Sequence, residues 1–171
     1  SWLDIHVINA FKPIRFVAKS EVEHWPVFGW MAKQLGTVFI QRDSARHARQ
    51  VVIQMASVLK TESICIFPEG TSTIGEIVLP FRPNLFESAI VTQVPVHPLA
   101  IQYLSKKTGK RSLSPAFIGD MGLLESISSI IKNRSLTAQL TVLPIYSNDQ
   151  NSTWDRKKLA AYCKESISKT L

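Results

Sequence analysis

The sequence predicts an α/β fold, a single-domain α/β sandwich in which helices flank a largely parallel mixed sheet. Short apolar segments typical of buried strands alternate along the chain with longer segments of helical periodicity. The chain has 171 residues, of which 45% are hydrophobic, and this is enough to bury a sizeable core. No linker, internal repeat or low-complexity tract divides it. We therefore expect residues 1–171 to form one domain.

The first elements follow from the spacing of the apolar residues. Apolar residues at every third or fourth position predict helices, and short runs of branched or aromatic residues predict buried strands. A capping box of Ser20 and Glu23, with Pro26 in the first turn, is expected to begin the second helix. In order, the patterns predict a helix at 3–10, a strand at 14–18, a helix from 26 to 35, a strand at 38–40, a helix at 44–60 and a strand at 63–67.

The remaining elements continue the alternation of helix and strand. Apolar and polar residues alternate strictly over 136–142, which predicts a strand with one polar face near a sheet edge. The polar and basic segment 106–114 predicts an exposed loop. In order, the patterns predict a short helix at 84–90, a strand at 96–103, a helix at 123–132, the strand at 136–142 and a last helix from 153 to the end.

The turn Phe67-Pro68-Glu69-Gly70-Thr71 is the strongest candidate for a functional site. It ends a short apolar strand, and α/β proteins place binding sites outside the carboxyl ends of their strands. Gly70 lets the backbone approach a ligand, Thr71 offers a hydroxyl and Glu69 offers a carboxylate. The alternative is an ordinary connection from strand to loop with a solvated glutamate.

Three other segments accompany this turn in the sequence. The chain opens on Ser1-Trp2-Leu3-Asp4, the run 36–42 ends at Arg42, and the run 94–101 contains Pro95. In this order and at these separations, the four segments resemble the motifs of the glycerolipid acyltransferase family, which includes 1-acylglycerol-3-phosphate acyltransferases. Those motifs are His-x-Ser-x-x-Asp, Gly-x-x-Phe-Ile-x-Arg, Phe-Pro-Glu-Gly-Thr and a proline in an apolar strand. The resemblance implies the α/β sandwich of the glycerol-3-phosphate acyltransferase type.

The resemblance also implies a role for Asp4. Its partner would be a histidine two positions before Ser1, which this chain does not contain, and we therefore expect the domain to be incomplete at its N-terminus. An alcohol is a poor nucleophile at neutral pH, so a histidine removes its proton while an aspartate fixes the tautomer of the imidazole. Two alternatives are a family member that has lost its base, and a role for Asp4 as a helix N-cap.

The other site residues are assigned by the same resemblance. Arg42 and Lys19 would contact the phosphate of the acceptor, because a guanidinium and an ammonium suit phosphate; the alternative for each is a solvated strand end. Glu69, Gly70 and Thr71 would complete the substrate-binding site. Pro95 would pack against the acyl chain or the acyl donor, or would simply be the first residue of a strand.

The resemblance implies an O-acyltransferase that moves a fatty acyl group from acyl-CoA or acyl carrier protein to the free hydroxyl of a lysophospholipid. The expected acceptor is 1-acylglycerol-3-phosphate, which would give phosphatidic acid. Many relatives have an arginine where this chain has Ser72, and a glycine where it has Asn84. These departures leave lyso-ornithine lipid open as the acceptor, and a non-catalytic lipid-binding relative remains an alternative.

Charge and composition indicate where the protein works. The net charge of +7 suits anionic partners, and a membrane surface is expected among them. No basic run or zinc spacing typical of a nucleic-acid module is present, so nucleic acid is not an expected partner; a basic adaptor protein is the third alternative. Two unpaired cysteines favour the cytosolic side. We expect a bacterial enzyme on the cytoplasmic face of the inner membrane, with no cofactor and no metal.

Overall fold

The computed structural model describes residues 1–24, 28–40, 45–145 and 155–171, and these residues form the predicted α/β architecture. Two short 3₁₀ helices span Ser20–His24 and Pro83–Phe86. The helices are α1 (Trp2–Phe11), α2 (Phe28–Gln34), α3 (Ala45–Leu59), α4 (Glu87–Thr92), α5 (Leu123–Lys132) and α6 (Arg156–Ser168). The strands are β1 (Arg15–Lys19), β2 (Val38–Ile40), β3 (Ile64–Cys65), β4 (Leu99–Ser105) and β5 (Leu136–Val142).

The first three strands form a parallel sheet in the order β2-β1-β3. Lys19, the last residue of β1, pairs with Ile40, the last residue of β2, and Phe16 pairs with Cys65 of β3. The two remaining strands, β4 and β5, pair antiparallel along their full seven residues. The parallel part is therefore the N-terminal half of the chain, where helices separate the strands.

Two buried clusters hold these layers together. The first joins α1 to the parallel sheet through Ile8, Phe16 and Cys65, and Leu140 of β5 packs against it. The rings of Phe16 and Phe67 stack in this cluster with centroids 6.0 Å apart. In the second cluster, residues of α6 pack on the segment that includes Phe86; its buried members are Phe86, Leu159, Ala160 and Cys163. Burial of these side chains supplies the main favourable term for folding.

Most predicted elements are confirmed, and two prolines explain one shift. The strand predicted at 96–103 begins instead at Leu99, because Pro95 and Pro98 lack the backbone N–H groups that a ladder requires. The carbonyl of Pro98 accepts a hydrogen bond from the backbone of Leu143, so β4 enters its pairing immediately afterwards. The prediction of Pro95 as the first residue of a strand is wrong.

Three other elements differ from their predictions. The helix predicted at 84–90 is divided into the 3₁₀ helix Pro83–Phe86 and α4, which ends at Thr92. The segment predicted to cap the second helix forms the 3₁₀ helix Ser20–His24, and α2 begins at Phe28; Pro26 lies outside the described residues. The strand predicted at 63–67 pairs over only Ile64–Cys65, because the chain turns at Pro68. Within the described ranges, no helix is both long and apolar enough to cross a membrane.

Candidate active site

The carboxyl ends of the three parallel strands meet at one edge of the sheet. Lys19 ends β1 and pairs in register with Ile40. Lys19 lies three residues beyond Phe16, the partner of Cys65, and Glu69 lies four residues beyond Cys65, so both belong to this edge. Arg42 follows Ile40 by two positions but falls outside the described residues. The phosphate-binding roles of Lys19 and Arg42 therefore stay predictions.

The residues after β3 form a tight turn that depends on Gly70. The backbone N–H of Gly70 donates to the carbonyl of Phe67 at 3.1 Å, which closes a four-residue turn with Pro68 and Glu69 at its centre. Gly70 has a φ of 72°, a left-handed conformation that costs little without a Cβ atom. Thr71, the next residue, is exposed. The sequence Pro-Glu-Gly thus encodes a sharp reversal that leaves a hydroxyl accessible at the edge of the sheet.

The carboxylate of Glu69 holds the loop that follows this turn. Its Oε2 accepts a hydrogen bond from the backbone N–H of Leu79 at 2.8 Å. One residue earlier, the carbonyl of Pro68 accepts from the backbone of Arg82 at 3.0 Å. The backbone donor that the structure provides for Glu69 is therefore Leu79, ten residues along the chain. We name residues 70–81 the Glu69 loop.

The Glu69 loop has a further attachment at its middle. The guanidinium of Arg111 donates to the carbonyl of Gly75, and its other nitrogen donates to the carbonyl of Leu171 at 3.3 Å. Arg111 therefore connects the loop to the C-terminus of the chain. Ile77 of the loop is 68% exposed, which leaves an apolar side chain available on its outer side.

Asp4 lies buried in the first turn of α1, with 8% of the residue exposed. Its Oδ1 accepts a hydrogen bond from the Tyr103 hydroxyl of β4 at 2.6 Å, and its Oδ2 contacts the amino group of Ser1. The N-cap of α1 is Ser1, so the alternative interpretation of Asp4 as the N-cap is wrong. Such hydrogen bonds offset the hydration that a carboxylate loses when it is buried.

The charge of Asp4 affects the pKa of a residue in β3, the strand that leads into the Glu69 loop. Burial raises the pKa of the Cys65 thiol to about 12, and the negative charge of Asp4 contributes to the same rise. Burial also raises the pKa of Tyr103, and the charge of Asp4 and the hydrogen bond to it raise this pKa further. Tyr103 therefore stays protonated and donates to Asp4 throughout the neutral range. Asp4 is therefore close enough to Cys65 of β3 for its charge to act on that thiol.

Pro95, which was a predicted site residue, and Tyr103, which was not, both lie outside the Glu69 loop. Pro95 is exposed in the segment between α4 and β4, and its packing role stays a prediction. Tyr103 was not among the predicted site residues, because it stands in an ordinary apolar strand. Its partner is 99 positions away, and nothing local to the sequence marks such a contact.

The fold and these motifs define an acyltransferase domain. The Acyltransferase family matches residues 1–102, which contain the strands of the parallel sheet, the Glu69 loop and Asp4. The chain belongs to this family.

Curated relatives of two kinds are similar to the chain. It is 34% identical to a lyso-ornithine lipid O-acyltransferase from Pseudomonas aeruginosa over 169 residues, which cover 98% of this chain and 63% of that protein. It is also 34% identical to a 1-acyl-sn-glycerol-3-phosphate acyltransferase from Neisseria gonorrhoeae over 168 residues, which cover 98% of this chain and 64% of that protein. The chain therefore spans less than two thirds of the length of these relatives.

A solved structure shares the fold. The crystal structure of the 1-acyl-sn-glycerophosphate acyltransferase PlsC from Thermotoga maritima matches with a TM-score of 0.59 and 23% sequence identity. The match covers 99% of this chain and 61% of that chain. The α/β prediction is confirmed by this likeness and by the parallel three-stranded sheet.

Proposed function

We propose that the intact protein transfers a fatty acyl group from acyl-CoA or acyl carrier protein to the free hydroxyl of a lysolipid. The observation that carries the proposal is the buried carboxylate of Asp4, which is held by Tyr103 near the strand that leads into the Glu69 loop. This is where an α/β protein of the Acyltransferase family would place its reacting groups.

The proposed reaction needs a general base in addition to Asp4. In the intact protein this base is the histidine of the first family motif, two positions before Ser1. It removes the proton of the lysolipid hydroxyl as the oxygen attacks the thioester carbonyl. The carbon–sulfur bond then breaks, and the thiol leaves with the proton that the imidazolium returns. Asp4 orients the imidazole and stabilises its charged form.

The proposed acceptor is 1-acylglycerol-3-phosphate, and the product is phosphatidic acid. Lys19 and Arg42 supply cations at the carboxyl ends of β1 and β2 for the phosphate. Lyso-ornithine lipid is the second candidate, and Ser72 favours it, because many family members carry an arginine at this position of the Glu69 loop. We propose that the protein acts at the cytoplasmic face of the membrane. Its net charge of +7 would attract it to the anionic lipids of that face.

A transfer assay of the intact protein tests this function. Each lysolipid is offered with acyl-CoA and with acyl carrier protein, and the diacyl product is detected by mass spectrometry. We expect transfer to at least one of the two acceptors, and an Asp4→Asn variant to lose about 10²-fold or more in kcat. Binding of lysolipid without transfer by the wild type would instead identify a non-catalytic lipid-binding relative.

A further inference from the structure

Tyr103 holds one side of the Asp4 carboxylate. The phenolic hydroxyl donates to Oδ1 at 2.6 Å, a short distance that is typical of a hydroxyl bonded to a charged oxygen. Tyr103 stands in the middle of β4, where it pairs with Ala138 of β5. The backbone of Tyr103 is therefore fixed by a seven-residue ladder, and its hydroxyl donates to Asp4 from a rigid strand.

The other side of the carboxylate faces the start of α1. Oδ2 contacts the amino group of Ser1, which identifies the direction in which the second oxygen points. In the intact protein, the family motif would place the histidine two residues before Ser1. Oδ2 accepts from the Ser1 nitrogen, but a carboxylate oxygen has two lone pairs, so Oδ2 can accept a second hydrogen bond from the imidazole.

We propose that Tyr103 is a positioning residue that fixes the Asp4 carboxylate for its catalytic histidine. The inference rests on the proposed function, since it assigns Tyr103 a role in that reaction. Tyr103 itself does not touch the reacting atoms. It prevents rotation of the carboxylate about its Cβ–Cγ bond, so that Oδ2 stays aligned with the imidazole nitrogen during proton transfer.

The test is a double-mutant cycle in the intact protein. Tyr103→Phe keeps the ring and removes only the donor, and we expect kcat to fall by about tenfold with KM unchanged, because orientation at the reacting centre is lost. In an Asp4→Asn background the same substitution should change kcat little, because Tyr103 acts through Asp4. Tyr162→Phe is the matched control: its hydroxyl donates to the carbonyl of Pro144 at 3.1 Å, and kcat should not change.

Each outcome bears on one conclusion. An unchanged kcat in Tyr103→Phe, or an equal loss in both backgrounds, would overturn the positioning role. Absence of transfer by the wild type with every lysolipid would contradict the proposed function instead. A crystal structure of Tyr103→Phe gives a readout without activity: we expect the Asp4 carboxylate to rotate, and an unmoved carboxylate would also overturn the inference.

A different observation concerns the surface of α5. This helix buries its small polar residue Ser126 completely and leaves Leu124 82% and Ile131 67% exposed. Leu124 and Ile131 are seven positions apart, so they lie two turns apart on one face. Leu113 is also 56% exposed, and its neighbours Ser112 and Ser114 accept hydrogen bonds from Asn133 at the end of α5. We name Leu113, Leu124 and Ile131 the α5 apolar surface.

Cations accompany the α5 apolar surface. An open cleft at the end of the helix is lined by Lys107, Lys132 and Arg134, together with Ser129, Asn133 and Ser135. None of these six described lining residues is acidic. Across residues 105–135 the sequence has six lysines and arginines against two acidic residues, a net charge of +4 out of +7 for the chain. The connection between β4 and β5 therefore carries more than half of the net charge.

We infer that the α5 apolar surface docks on a membrane that contains anionic lipids. Exposed aliphatic side chains beside lysine and arginine form the pattern of a helix that lies in a membrane interface. The apolar side chains enter the boundary of the acyl chains, and the cationic cleft at Lys107, Lys132 and Arg134 receives the negatively charged headgroups. Charge complementarity selects this occupant, because an uncharged apolar partner would not use the cleft.

Vesicle flotation tests the docking surface. Wild-type protein is mixed with vesicles of phosphatidylcholine alone, or of phosphatidylcholine with phosphatidylglycerol. We expect preferential binding to the anionic vesicles, and a loss of about tenfold or more in the Leu124→Gln/Ile131→Gln and Lys132→Gln/Arg134→Gln variants. The matched control is Ile53→Gln/Val91→Gln, which alters two side chains of similar exposure, 61% and 63%, on α3 and α4.

Three results would overturn the membrane assignment. The first is unchanged vesicle binding in the α5 variants. The second is a wild-type dimer in sedimentation that the α5 variants convert to a monomer, which would assign the surface to a second copy. The third is a large fall in the melting temperature of the intact Leu124→Gln/Ile131→Gln variant, which would mean that the protein covers this face with its own chain.

Discussion

Glu69 connects two functions in one side chain, since it stands at the candidate site and also anchors a loop. Its bond to the backbone N–H of Leu79 joins the residue that precedes the Glu69 loop to a residue near the end of that loop. A charged acceptor strengthens a hydrogen bond to a neutral amide by about twofold. The position of Thr71 and Ser72, which lie between the two bonded residues, therefore depends on the charge of Glu69.

Glu69→Gln tests this dependence. The amide keeps the shape and one carbonyl acceptor, so we expect an unchanged melting temperature. The bond to Leu79 loses its charge, and we expect kcat/KM for acyl transfer to fall by about tenfold. Glu76→Gln, an exposed position in the same loop, serves as the control. Activity close to that of the wild type would remove Glu69 from the site, and unfolding would make its role structural.

Arg42→Ala addresses the choice between the two acceptors. Loss of a charge-assisted pair should weaken binding of 1-acylglycerol-3-phosphate by about 1.5–3 kcal/mol, measured as an increase in KM. A lysolipid without a phosphate, such as lyso-ornithine lipid, should be much less affected. Arg49→Ala, on the exposed part of α3, is the matched control. Equal losses with both acceptors would mean that Arg42 is structural or that the phosphate is bound elsewhere.

Of the candidate site, the sequence predicted the strand end and the turn that follows it, whereas the roles of the site residues stay predictions. The turn is encoded by three consecutive residues, Pro68, Glu69 and Gly70, and its position after an apolar strand indicated a binding site. The partners of Glu69 and Asp4 were not predictable in this way. Leu79 and Tyr103 are brought to these carboxylates by the path of a loop and by the packing of β4, which no local pattern specifies.

At the scale of elements, α1 is held by two polar contacts to elements distant in sequence. Asp4 bonds to β4, and the indole Nε1–H of Trp2 donates to the hydroxyl of Ser126 in α5 at 3.0 Å. Ser126 is fully buried, so this bond lies in a region of low dielectric, where an unpaired donor is costly. The first turn of α1, which carries Asp4, is thereby fixed from two sides.

Ser126→Ala should loosen this attachment. The substitution leaves the N–H of Trp2 without its acceptor, and we expect the free energy of unfolding to fall by about 1–3 kcal/mol in a urea titration. Ser88→Ala is the matched control, because Ser88 is also buried but its hydroxyl has no hydrogen-bond partner among the described residues. Removing that hydroxyl should be neutral or stabilising. Equal losses at the two positions would show that the bond to Trp2 contributes nothing.

The bounds of elements with a clear sequence periodicity were predicted accurately. The bounds of elements that end where their pairing or packing with other elements ends were not. The helix at 123–132 and the strand at 136–142 have the predicted bounds, because each has a clear periodicity. Strand β3 is shorter than its apolar run, since pairing with β1 covers only Ile64–Cys65. The apolar run continues beyond β3 because residues such as Ile66 pack against the core, although they do not belong to a strand.

At the scale of the whole molecule, each of the two buried clusters contains one thiol. Cys65 lies in the cluster on the parallel sheet, and Cys163 of α6 lies in the cluster around Phe86. Burial raises the pKa of Cys65 to about 12, with a further contribution from Asp4, and raises that of Cys163 to about 11; the ordinary value is 9.0. Both thiols are therefore uncharged in the folded protein at neutral pH.

These raised pKa values predict a loss of stability in alkaline solution. Between pH 9.0 and the folded pKa values of about 11 and about 12, the unfolded chain releases the thiol protons while the folded chain retains them. The unfolded state then binds fewer protons, so the free energy of unfolding falls as the pH rises. Each thiol contributes up to about 1.4 kcal/mol per pH unit in this range, and nothing below it.

Urea titrations from about pH 8 to about pH 10 measure this slope. The upper limit keeps most of the experiment below the range in which Tyr103, whose pKa is also raised, adds its own contribution to the slope as it ionises in the unfolded chain. A Cys65→Ala/Cys163→Ala variant loses apolar contacts and should be less stable than the wild type at every pH. Its stability should nevertheless decline less steeply above pH 9.0, because the two titrating groups are gone. Parallel curves for the two proteins would mean that the thiols ionise alike in the folded and unfolded states, and that the two cores do not exclude the thiolate.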